Sequence, residues 1–118
     1  ESPATEYTQL SLDLDQLLID HPSATYIGIA QGKSMMGDGI FCGDLLIVDR
    51  AQEIKDHDVV VANLNGVFVC KKIDKVQGCL RSSSKHFPPY FLSEDDEFQI
   101  EGVVTRSIRL HRPFKKQL

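Results

Sequence analysis

A serine set among glycines and a pair of adjacent lysines are the residues of this chain whose types could do covalent chemistry. Ser34 stands in Gly32-Lys33-Ser34-Met35, and Lys71 and Lys72 follow the run Val67-Phe68-Val69-Cys70. A serine hydroxyl is a feeble nucleophile at neutral pH and must give its proton to a base as it attacks. None of the four histidines (His21, His57, His86, His111) has a recognisable triad context, so lysine is the natural base. A lysine serves only when neutral. Its reference pKa of about 10.4 must fall by several units, and burial does this by penalising the ammonium form. By period two, Val67, Val69, Lys71 and Ile73 share a strand face, whereas Lys72 goes with Phe68 and Cys70. The alternation favours Lys71 without excluding Lys72. The ordinary alternative is that both lysines snorkel from a half-buried strand.

Gly32-Lys33-Ser34 also looks like the end of a phosphate-binding loop, but that motif needs four residues between its glycines. Gly28 and Gly32 leave three. The motif must also open a helix, and Gly37 and Gly39 break one here. A glycine-bracketed turn can instead offer backbone N–H groups to an oxyanion, from Ser34 itself and a neighbour. The structural alternatives are a helix N-cap for Ser34 and core packing for Met35, and for Met35 the core is the preferred reading.

These residues need a scaffold, and 118 residues make one domain without metal or disulfide staples. Cys42, Cys70 and Cys79 are an odd count without CxxC spacing, which reads as reduced structural thiols in a cytoplasmic protein. The histidines and cysteines lack zinc spacing, so no cofactor is implied. The longest apolar runs, such as Leu45–Val48, have four residues, against about 20 for a membrane span. Thirteen basic against seventeen acidic residues give a net charge of −4, which argues against direct DNA binding. The first 32 residues carry Glu1, Glu6, Asp13, Asp15 and Asp20 and no Lys or Arg; after Glu101 there is no acid, while Arg106, Arg109, Arg112, Lys115 and Lys116 follow. Two solvated ends is the plain reading, and a meeting of the ends at an interface the sharper one.

Residues 1–12 read as an extended arm and Asp13–Leu18 as a short helix stopped at His21-Pro22. Ala24–Ala30 and Leu45–Val48 suit strands. Asn65-Gly66, between Asp58–Leu64 and Val67–Ile73, predicts a type I′ hairpin that pairs Leu64 with Val67 and sets Lys71 opposite Val60. Ser82–Pro89 reads as a turn-rich loop and Phe98–Leu110 as a long late strand. The class is mainly β with one short N-terminal helix.

Gly32-Lys33-Ser34-Met35, Gly39-Ile40 and Gly43-Asp44-Leu45-Leu46-Ile47-Val48-Asp49 resemble the active-site segment of the LexA/UmuD family of self-cleaving serine–lysine peptidases. Asp58–Ala62 through Val69-Cys70-Lys71-Lys72 resembles that family's lysine-bearing hairpin, and the nucleophile-to-lysine spacing of 37 residues matches. His21-Pro22-Ser23-Ala24-Thr25-Tyr26 and Gly102-Val103-Val104-Thr105 resemble the UmuD branch. Departures are the acid order in Met36-Gly37-Asp38-Gly39, the pair Phe41-Cys42, and Cys70 where a valine is common.

The resemblance, which spans nearly the whole chain, implies one peptidase-like domain over 1–118 with the LexA/signal-peptidase-like fold of coiled β-sheets and hairpins. It implies Ser34 as nucleophile and Lys71 as base. It further implies self-cleavage of an N-terminal arm stimulated by the RecA–single-stranded DNA filament, then a homodimer that joins a UmuC-type subunit in an error-prone translesion polymerase. Glu1-Ser2-Pro3-Ala4 matches the stretch shortly after the family's scissile bond. The rival readings are the self-cleavage and dimerisation half of a LexA-like or phage repressor, a signal peptidase, and an interaction module with vestigial peptidase machinery.

Overall fold

The computed structural model describes residues 6–113. The expected arm therefore lies partly outside the described residues, and its described part, Glu6–Leu12, is exposed and without regular structure. Helix α1 covers Leu14–Leu18. Asp13 stands before it as N-cap: its Oδ1 accepts the Gln16 N–H at 2.8 Å, and Gln16 Oε1 accepts the Asp13 N–H at 3.2 Å. This capping box supports a helix too short to persist by propensity.

Seven strands follow: β1 (Thr25–Ile29), β2 (Leu45–Asp49), β3 (Val59–Leu64), β4 (Val67–Asp74), β5 (Cys79–Arg81), β6 (Tyr90–Phe91) and β7 (Phe98–Ile108). They form one antiparallel sheet in the order β1-β2-β7-β3-β4-β5-β6. The mainly β class with one short helix is what the sequence predicts. The hairpin has the predicted register, with Leu64 opposite Val67 and Val60 opposite Lys71. Asn65 and Gly66 both have positive φ, 52° and 85°, as a type I′ turn requires. Strands β1, β3 and β7 fall a residue or two inside the expected bounds, β2 and β4 run one residue past theirs to Asp49 and Asp74, and β5 and β6 are additions to the sequence reading.

The long strand β7 links the two parts of the sheet and is kinked twice. Its pairing with β3 shifts between Val61 and Ala62, and its pairing with β2 shifts between Ile47 and Val48. Bulges of this kind bend and twist a strand. Gly102 permits the bend, because a Cβ there would meet Val48 Cγ1 at 2.7 Å. The coiled sheet encloses two apolar clusters. Ala30, Met35, Ile40, Leu46 and Val48 form the first, with Cys70 and Val61 packed against it. Val60, Ile73, Leu80 and Val103 form the second, with Val69 against it. The β3–β4 hairpin thus feeds both clusters from its two faces, which fixes its position against the β1–β2 connection.

Candidate active site

Ser34 lies in the 15-residue connection between β1 and β2. The base of that loop is closed by two backbone hydrogen bonds of 2.8 Å, Ala30 N–H to the Asp44 carbonyl and Gly43 N–H to the Ala30 carbonyl. Arg109 of the segment after β7 donates to both carboxylate oxygens of Asp44 and lies 4.2 Å above the Phe41 ring. The Arg109 guanidinium holds the Asp44 carboxyl below its ordinary range. Met35 and Ile40 are core residues, 4% and 6% exposed, so the residue after Ser34 anchors the turn. That is the core role expected of Met35. The segment that follows, Met36–Asp38, is one 3₁₀ turn ended by Gly39 in the left-handed region. No α-helix starts at Ser34, and the N-cap position of the turn is Met35, so the capping alternative for Ser34 does not apply.

The lysine comes from β4. Strand β5 pairs only with Lys72–Asp74, so the outer edge of β4 from Val67 to Lys71 has no strand partner among the described residues. The Ser34 turn abuts the end of that edge. Ser83, just beyond β5, donates its N–H to the Ser34 carbonyl at 2.9 Å, and its hydroxyl accepts the Asp38 N–H at 3.0 Å. Gly37 is required here, since a Cβ would lie 2.2 Å from the Ser83 carbonyl oxygen. Lys71 Nζ then donates to Ser34 Oγ at 2.8 Å and to Ser82 Oγ at 3.0 Å, with the Phe87 ring centroid 5.6 Å away. Burial lowers the Lys71 pKa below its ordinary value. Lys72, on the opposite face, pairs with Asp38 at 2.9 Å, so the two candidate bases have separate partners. Burial also pushes the neighbouring Cys70 thiol up to about 11, which keeps it protonated and inert at neutral pH.

Ser82 is the residue that sequence reasoning missed. It follows the last residue of a three-residue strand, and one of three consecutive serines in a turn-rich stretch carries no signal of its own. A neutral lysine has one lone pair and two N–H groups. With Ser82 Oγ accepting one N–H, the lone pair is free to face the Ser34 hydroxyl. Among the described residues the N–H groups of Ser34 and Met35 have no acceptor, and they are the donors that could receive an oxyanion.

A groove leads to this pair. A cavity of about 180 Å³ is lined by Ala30, Gly32, Ser34, Met35, Phe68 and Lys71 among others. A larger one shares Ala30, Gln31, Phe68, Val69 and Cys70 with it and runs on along Gly28 and Ile29. The groove is thus bounded by β1 and the open edge of β4. Among the described residues no group of three or more His, Cys, Asp or Glu side chains could hold a metal ion, and no helix is long and apolar enough to cross a membrane.

A coiled antiparallel sheet with one short helix and a glycine-bracketed serine beside a hairpin lysine has the architecture of LexA/UmuD-like proteins. Comparison with known proteins agrees. The model of the family described as Peptidase S24-like matches residues 1–105. Protein MucA of Salmonella typhimurium is 38% identical over 112 residues, 93% of this chain and 77% of its own length. Protein ImpA of the same organism is 43% identical over 114 residues, 97% and 79% of the two chains. The LexA repressor of Bordetella avium is 29% identical over 92% of this chain but only 51% of its own length. The chain belongs to the S24 family of self-cleaving serine peptidases, and its relatives place it on the UmuD-like, SOS-mutagenesis side of that family.

Proposed function

We propose that this chain, as one peptidase-like domain, is a Ser–Lys autopeptidase that removes its own N-terminal arm, with Ser34 as nucleophile and Lys71 as general base. The observation that carries the reading is the 2.8 Å contact between Lys71 Nζ and Ser34 Oγ, made by a half-buried lysine whose pKa is lowered. Neutral Lys71 takes the Ser34 proton as Oγ adds to the scissile carbonyl. The N–H groups of Ser34 and Met35 receive the oxyanion. Collapse breaks the C–N bond, and the Lys71 ammonium returns the proton to the leaving amine. A water molecule then cleaves the ester, with Lys71 again the base. The segment to be cut lies extended along the open edge of β4, where backbone pairing supplies affinity and the apolar groove takes alternate side chains.

In this reading the RecA–single-stranded DNA filament stimulates cleavage in the cytoplasm. The shortened chain forms a homodimer and acts as the accessory subunit of a UmuC-type translesion polymerase. The UmuD-like relatives support this role. Contact with DNA is made through those partners. Arg106 is turned inward, donating to the Leu18 carbonyl at 3.1 Å and lying 3.7 Å from Asp20. Arg109 is bound to Asp44.

The test is self-cleavage of an arm-bearing version of the chain. Ser34→Ala and Lys71→Ala each reduce cleavage by about a thousandfold or more, while Lys72→Ala keeps the Lys71–Ser34 contact and most of the rate. Equal loss from both lysine variants would refute Lys71 as the base.

A further inference from the structure

The groove has a second side with different chemistry. A cavity of about 620 Å³, sharing no lining residue with the first, is bounded by Lys33, Met36, Ser83, Lys85, His86 and Phe87. It reaches the reacting pair by two routes: Lys33 precedes Ser34 in the chain, and the Phe87 ring faces Lys71 Nζ. Its floor is apolar, with Met36 and Phe87 40% and 43% exposed. Its rim is cationic. Among the described residues neither Lys33 nor Lys85 has a carboxylate within 4 Å. Asp38, the acid nearest Ser34 in sequence, is engaged by Lys72 at 2.9 Å. The cavity on the other side carries only Lys71 as a charged lining residue.

A peptide lying across Ser34 continues past it in both directions, and the two cavities adjoin it at Ser34 and at Lys33, so each is a candidate for one side of the scissile bond. The charge pattern of the chain decides which. Its first 32 residues contain Glu1, Glu6, Asp13, Asp15 and Asp20 and no Lys or Arg. In the self-cleavage reading Glu1 lies shortly after the bond, on the side that leaves as the amine. At ~3.3 Å per extended residue a few residues carry it roughly 10 Å from Ser34, and the cationic cavity begins at Lys33, the residue next to Ser34.

We infer that this cavity is the leaving-side subsite, selecting an acidic residue shortly after the scissile bond, and that it takes the Glu1 carboxylate between Lys33 and Lys85. The inference rests on the self-cleavage reading and adds its specificity and the direction of the chain in the groove. The charges attract an extended segment whose own charges are all of one sign, and Met36 and Phe87 cover its backbone. The subsite therefore holds the amine-side residues in line with Lys71, the group that must protonate the leaving nitrogen.

The experiment follows self-cleavage of the arm-bearing chain at fixed pH. The four proteins are the parent, Lys33→Glu/Lys85→Glu, the same pair with Glu1→Lys, and Lys33→Gln/Lys85→Gln as a milder variant. Circular dichroism confirms the fold of each. The charge-reversed pair cleaves about tenfold more slowly and the neutral pair about threefold. Adding Glu1→Lys to the reversed pair restores most of the rate, and high salt slows the parent more than the neutral pair. Rates within twofold of the parent in both lysine pairs, or a slow reversed pair that Glu1→Lys does not rescue, overturn the subsite while leaving the peptidase intact. A parent that never cleaves overturns the self-cleavage reading itself, and the subsite with it.

Discussion

At the scale of single residues, the proposed chemistry turns on three side chains around one nitrogen. Ser34 and Lys71 were legible because a glycine-bracketed serine and a lysine in an apolar strand row are uncommon, and the Asn65-Gly66 turn fixes the register that sets Lys71 opposite Val60. Alternation alone could not choose between Lys71 and Lys72. The structure separates them by their partners, Ser34 and Ser82 for one and Asp38 for the other. Ser82 was not legible, because its place depends on where a three-residue strand happens to stop. In the proposed mechanism it positions the base, and its removal leaves Lys71 with one hydroxyl partner in place of two. Ser82→Ala in the arm-bearing chain slows cleavage by about tenfold at neutral pH and changes the apparent pKa of the rate profile. Ser82→Thr, which keeps the hydroxyl, retains most of the parent rate. An unchanged rate and profile in Ser82→Ala would show that the 3.0 Å contact has no part in aiming the base.

At the scale of elements, the site exists because three pieces stop short. β5 ends at Arg81, the β1–β2 connection makes a single 3₁₀ turn, and the edge of β4 is left open between them. The hairpin and the buried strand β2 were readable from β-branched runs and turn chemistry. β5 and β6, three and two residues long, offer no periodicity to read, and β6 is held at the sheet edge by pairing with β5. The bulges in β7 follow from tertiary closure, with Gly102 their one trace in the sequence. Gly37 is the element-scale counterpart of Ser82, since it allows the Ser34 turn to touch the Ser83 backbone. Gly37→Ala forces that contact apart. Because a displacement of about 1 Å at reacting groups costs about a hundredfold in rate, cleavage falls by that order. The turn is at the surface, so the melting temperature changes by only a few degrees. Melting and cleavage measured on the same preparation separate the two effects, and a parent-like rate would mean that the tie does not position Ser34.

At the scale of the molecule, the uneven charge resolves in part into internal pairs. Arg106 reaches Asp20 and Arg109 reaches Asp44, so the basic end is tied to the N-terminal segment and to the site loop. The sequence displayed the asymmetry but not the pairing, which needs residues 65 or more positions apart to meet. The folded pKa of Asp44 is depressed, so its pairing stabilises the protein above the ordinary aspartate pKa of 3.8 and is lost as pH falls below that toward the folded value. Arg109→Ala therefore lowers the melting temperature at neutral pH, and the gap to the parent narrows as pH drops below 3.8. A gap independent of pH would mean that the arginine acts through packing on Phe41 alone. The proposed mechanism requires Lys71 to be neutral when it works, and the rate of self-cleavage of the arm-bearing chain against pH measures that most directly. With Lys71 as the base, the rate rises from neutral into alkaline pH and levels off below the ordinary lysine value of 10.5, a profile that Lys71→Ala abolishes. A flat or falling profile in a protein that stays folded over that range would contradict that assignment.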